Sequence, residues 1–74
     1  MNRTSQMVDK VLRIKKMNEK TGLSRSSTYN KINPASKYFD PSFPKPVRLG
    51  ASSVGWVESE VDEWIASRVQ ARNA

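Results

Sequence analysis

Cysteine and histidine are both absent from the 74 residues. The first absence removes disulfide staples and thiolate metal sites, and the second removes the other common zinc ligand. Together they also remove the commonest nucleophile and general base. Seven carboxylates remain, and four of them crowd between Glu58 and Glu63, where they read as the opening turns of a helix rather than as an acid–base pair. The chain is therefore not expected to be an enzyme or to carry a cofactor or a metal. Long apolar runs are missing as well: none approaches the roughly 18 residues that span a bilayer, and nothing resembles a signal peptide. A cytoplasmic location follows, with neither a membrane nor a small-molecule substrate as partner.

What the chain does have is positive charge, unevenly placed. Residues 1–57 hold eleven Lys and Arg against three acids, whereas residues 58–74 hold two against four, which together make the net +6. A basic body with an acidic last segment suits a protein that presents one face to a polyanion. The length allows one small domain, since so short a chain buries only about 60% of its unfolded surface.

Residues 1–9 are polar and without period, and are expected to form a flexible N-terminal arm. From residue 10 to 72 the pattern is that of one folded unit. "KVLRI" (10–14) alternates like a short strand or extended lead-in. "KKMNEKTG" (15–22) predicts two helical turns with Met17 inward and Gly22 at the left-handed stop. Ser24 is a good N-cap for a second helix, "RSSTYNKI", which Pro34 prevents from running far. Two helices joined by "TGLS" have the layout of a helix-turn-helix. The loop over 33–43 carries Tyr38, Phe39 and Phe43, some of which are expected to fold back on the core rather than stack on bases. "VRL" and "VGWV", separated by "GASS", predict a β-hairpin. In the last segment Val61, Trp64, Ile65 and Val69 make one apolar stripe that should close over the core.

The fold class expected is mainly α with a small β-hairpin, a winged helix-turn-helix. At about 100° per residue, with Thr28 and Ile32 inward, Tyr29 and Arg25 fall on one shoulder of the second helix and Lys31 on the other. Ser26, Ser27, Asn30 and Asn33 point away, giving a small polar face suited to base edges in a DNA major groove. Ser24, Arg25, Ser26, Ser27, Tyr29, Asn30 and Lys31 are the candidate recognition-helix contacts, within residues 24–33. A wing over residues 44–57 would supply Lys45, Arg48, Ser52 and Ser53 to the flanking backbone or minor groove, joined by Lys15 and Lys16 from the first helix. Lys37 is a further candidate for phosphate.

"TGLSRSSTY", "DPSFPKPVRLG" and "VGWVESEVDEWIASR" together resemble the AlpA family of short phage and prophage regulators, which are related to the winged-helix excisionases and to MerR-type DNA-binding domains. The resemblance runs over roughly residues 10–72. It implies a sequence-specific binder of double-stranded DNA, acting as a prophage-type transcriptional regulator. The alternative within the same fold is an excisionase that bends attachment-site DNA for an integrase, so an integrase or a second copy of the chain stands as a further partner. Where the family usually has an aliphatic residue before the tyrosine, this chain has Thr28.

One competing reading needs no nucleic acid. Pro41 and Pro44 satisfy a P-x-x-P spacing, so "PSFPKP" could serve as a polyproline ligand for another protein. Against it, the segment lies between aromatic anchors and a hairpin.

Overall fold

The computed structural model describes residues 10–72, so the arm expected over residues 1–9 lies outside it. Helix α1 (Ile14–Thr21) stops where Gly22 takes φ 77° and ψ 4°, and the Gly22 N–H donates to the Asn18 carbonyl at 2.8 Å. That left-handed stop is the conformation glycine adopts without a Cβ penalty. Helix α2 (Arg25–Ile32) restarts from Ser24, whose extended backbone lets its Oγ accept from the Ser27 N–H at 3.1 Å. The helix-turn-helix inferred from "TGLS" is thus built by two local capping devices.

Thr28 is fully buried between the two helices. Its hydroxyl lies 3.0 Å from the Ser24 carbonyl oxygen and 3.2 Å from the Asn18 amide. A hydroxyl has one proton to give, but the Asn18 side chain can turn its NH₂ toward Oγ1, so both neighbours can be satisfied at once. The polar residue in an apolar position is therefore a bonded link between α1 and α2.

Strands β2 (Val47–Arg48) and β3 (Val54–Val57) form the expected hairpin, with Val47 opposite Gly55 and Arg48 opposite Val54. The lead-in becomes β1 (Val11–Leu12), pairing with the other edge of β3 to give the antiparallel order β1-β3-β2. Gly55 makes this closeness workable. A Cβ there would stand 2.5 Å from Val11 Cγ1, 3.1 Å from the Leu12 carbonyl oxygen and 3.1 Å from Leu49 Cδ1.

Helix α3 (Glu58–Arg72) follows β3 without a break and closes the core of Leu12, Met17, Phe43, Trp56 and Val61. Trp56 meets the Tyr29 ring edge-on at 6.2 Å, and Phe43 meets Trp64 at 4.8 Å. The stripe expected to close over the core ends a turn early, since Val61, Trp64 and Ile65 pack but Val69 is 44% exposed. A 15-residue helix is about 22 Å long, and it outruns what three short strands and two short helices can cover. Val47 and Leu49 are likewise exposed on the edge strand's side of the hairpin.

The 33–43 loop is tied by Asp40. Its N–H donates to the Lys31 carbonyl at 2.9 Å, Oδ1 accepts from the Ser42 N–H and hydroxyl at 2.9 and 2.6 Å, and Oδ2 accepts from Trp64 Nε1–H at 3.2 Å. Of the three loop aromatics Phe43 is buried, Phe39 is partly exposed and Tyr38 is 60% exposed. The core-covering role expected of these rings falls chiefly to Phe43, because the turns at Asn33–Ser36 carry Tyr38 outward. Pro44 is buried beside Phe43, so the P-x-x-P segment does not offer both of its prolines to a partner's groove.

Candidate nucleic-acid interface

The site begins with the electrostatics of residues 24–57. Arg25, Lys31, Lys37, Lys45 and Arg48 are the cations of this stretch, and Asp40 is its one acid. Both Asp40 oxygens are occupied by hydrogen bonds. The Ser42 hydroxyl is the main cause that holds its carboxyl below the ordinary 3.8, with the Ser42 N–H, Trp64 and nearby Lys31 adding to it against a desolvation that opposes. Among the described residues, the cations engaged in ion pairs are Lys16 and Lys20, both on α1. The cations of α2 and the hairpin thus form no ion pair among the described residues, and Lys31 alone has an acid, Asp40, nearby.

On α2, Ser24, Arg25 and Ser26 are exposed, and Ser27, Asn30 and Lys31 are half-buried. Ser24 Oγ is committed to capping and also donates to Ser27 Oγ at 3.1 Å. Arg25 holds its guanidinium 5.5 Å from the Tyr29 ring centroid, close enough for a cation–π contact that orients it. Tyr29 is half-buried and packs on Trp56, so its ring supports the helix from behind. Lys31 reaches back toward α3, its Nζ 5.7 Å from the Trp64 ring centroid.

On the hairpin, Lys45, Arg48 and Ser52 are exposed, while Ser53 is half-buried. The turn closes through the Ser53 carbonyl, which accepts from the Leu49 N–H at 2.7 Å and the Gly50 N–H at 3.3 Å. Arg48 Nη1 donates to the Ala51 carbonyl at 3.2 Å, so one arm of the guanidinium braces the tip.

The two lysines of α1 divide. Lys15 is exposed, but Lys16 pairs with Glu19 at 3.5 Å and shares a shallow groove with Glu19, Lys20 and Glu58. Lys20 itself bridges to Asp62 at 2.8 Å and Glu58 at 3.1 Å, and these two partners, Asp62 first, raise its pKa. Lys16 is exposed but shares its charge with Glu19 one turn along the same helix, whereas Lys20 is the cation that joins α1 to α3.

One feature was not foreseen from sequence. Tyr38 faces back toward α2 and, with Leu23, Ser27, Asn30 and Lys31, lines an open cleft of about 330 Å³. The hydrogen-bonding residues "NPAS" that shape the loop were visible in the sequence, but the direction in which they throw the ring was not.

Two helices joined by a tight turn, the second capped and polar outward, followed by a basic two-stranded hairpin, define a winged helix-turn-helix domain. Among the described residues no helix is long and apolar enough to cross a membrane. The chain belongs to the family of the prophage CP4-57 regulatory protein (AlpA), whose model matches residues 10–69. It is similar to the DNA-binding transcriptional activator AlpA of Escherichia coli (strain K12), at 44% identity over 59 residues, which cover 80% of this chain and 84% of that protein. It is also 36% identical over 64 residues to the uncharacterized protein ORF88 of Enterobacteria phage P4, covering 86% of this chain and 66% of that one. No solved structure matches it.

Proposed function

We propose that the chain is a transcriptional regulator that binds double-stranded DNA, with α2 in the major groove and the β2–β3 wing along the flanking backbone. The observation that carries this reading is the charge pattern between Ser24 and Val57, where five cations face one acid, Asp40, whose oxygens are taken up by Ser42 and Trp64 and which has only Lys31 near it. A polar helix face alone would be an ordinary solvated surface. Beside an uncompensated basic wing it fits the division in which phosphate contacts position the protein and base contacts specify the site. The E. coli relative, named as a DNA-binding transcriptional activator, supports the same reading.

In this arrangement Arg25 and Asn30 are the base readers, with Ser26 and Ser27 beside them. Arg25 supplies a fork for a guanine edge and Asn30 an amide for a base edge beside it. Lys45, Arg48, Lys31, Lys37 and Lys15 meet phosphates, with Ser52 and Ser53 letting the wing tip come close. Tyr29 acts from behind the helix.

The test starts from a duplex selected by the protein from a random pool. Asn30→Ala or Ser26→Ala is expected to relax base preference at one position, whereas Lys45→Ala should weaken all duplexes about equally. A gel-shift series in which all three substitutions are harmless would remove the groove assignment.

A further inference from the structure

Tyr38 is a large ring left 60% exposed by a protein with little apolar surface to spare. The backbone that carries it is nevertheless well tied. Ala35 N–H donates to Asn33 Oδ1 at 3.0 Å and Ser36 N–H to the Asn33 carbonyl at 2.9 Å. Tyr38 N–H donates to Ser36 Oγ at 3.0 Å, Phe39 N–H to the Ser36 carbonyl at 3.1 Å, and Asp40 closes the loop onto α2 through Lys31. An aromatic side chain with two rotatable bonds on an ordered backbone offers contact area at low entropic cost. Lys37 adds a cation 5.4 Å from the ring centroid.

The cleft between this ring and α2 has two kinds of wall. Leu23 and Tyr38 are apolar, and Ser27, Asn30 and Lys31 are polar, with the last two supplying donors. Of the four base edges in a major groove, thymine alone joins an apolar group, the C5-methyl, to an acceptor, O4. Cytosine would bring its N4 donor and no methyl for the apolar wall. Guanine would satisfy the donors but leave the apolar wall against polar atoms.

We infer that this cleft reads a thymine, its C5-methyl resting on Leu23 and Tyr38 and its O4 accepting from the Asn30 amide. The inference rests on the proposed duplex binding through α2 and extends it to a residue on the loop after the recognition helix. Tyr38 is then a specificity-determining residue through its ring, not its hydroxyl.

The experiment uses the full chain and its selected duplex, replacing each thymine singly by deoxyuridine, which deletes the methyl and keeps the pairing edge. One position is expected to lose about fourfold in affinity, the value of one buried carbon. That loss should vanish in Tyr38→Ala and persist in Tyr38→Phe, with the melting temperature unchanged because the ring is exposed. Indifference of every thymine to methyl deletion overturns the inference, as does a sensitive position that stays equally sensitive in Tyr38→Ala. If the selected duplex is still bound in a Ser26- and Lys45-dependent way, only the thymine cleft falls. If the chain binds no duplex at all, the proposed function falls with it.

Discussion

A methyl group added at Gly22 would meet nothing within 4 Å, so Gly22→Ala costs only the strain of a side chain at φ 77°, about 1 kcal/mol. At Gly55 the same methyl meets Val11 and the backbone oxygen of Leu12, and β1 must move off β3. Overpacking of that kind costs about 2–3 kcal/mol. Thermal melts should therefore show a drop of roughly 5 °C for Gly22→Ala and at least twice that for Gly55→Ala. Equal drops would mean that the sheet yields more easily than its spacing indicates. Asp40 makes a second residue-level prediction. Its folded carboxyl is held below the ordinary value, chiefly by the Ser42 hydroxyl, so its contribution to stability is complete above 3.8 and is lost as pH falls through the lower folded value. Asp40→Asn should be less stable than the parent at neutral pH, and the gap between their melting temperatures should narrow below about pH 4. A gap that stays constant into acid would show that the charge is not what ties the loop to Trp64.

At the scale of elements, the parts set by local chemistry were legible in the sequence and the parts set by distant partners were not. Gly22 and Ser24 mark the helix-turn-helix because capping is decided within three or four residues. "GASS" marks the hairpin for the same reason. The pairing of Val11–Leu12 with β3 depends on Gly55, more than forty residues away, and a two-residue strand carries too little pattern to announce its partner. Some of the rings of Tyr38, Phe39 and Phe43 were expected to fold back on the core, and Val69 to close over it as part of a helical stripe. The loop's turns and the length of α3 leave Tyr38 and Val69 exposed. Of the candidate contacts, the exposed α2 and wing residues were readable from helical and strand periodicity. The i,i+3 pair of Lys16 with Glu19 could have been read the same way, whereas the bridges of Lys20 to Glu58 and Asp62 required α3 to be in place. The wing offers its own prediction. Arg48→Ala removes one cation and the brace on the Ala51 carbonyl, so the slope of log K against log salt should become shallower by about 1. An unchanged slope would place Arg48 away from phosphate.

At the scale of the whole molecule, opposite charges are sorted. Glu58 and Asp62 meet Lys20 on the α1–α3 side, whereas residues 24–57 hold five cations against one acid and none of the five is ion-paired among the described residues. With roughly four of those cations on phosphates, the parent's slope should be about −4. Within the basic half the hairpin meets α2 through Trp56, fully buried on the middle strand, whose ring abuts Tyr29 on the back of α2. That contact couples the hairpin to the helix, and in the proposed DNA complex it makes the domain a ruler. A base pair inserted between the stretch read by α2 and the stretch gripped by the wing would shift one against the other by about 3.4 Å and roughly 35°. A hinged protein would absorb that step, but this one should forfeit one of its two grips. Footprints on operators lengthened or shortened by one base pair should accordingly lose protection at a single end.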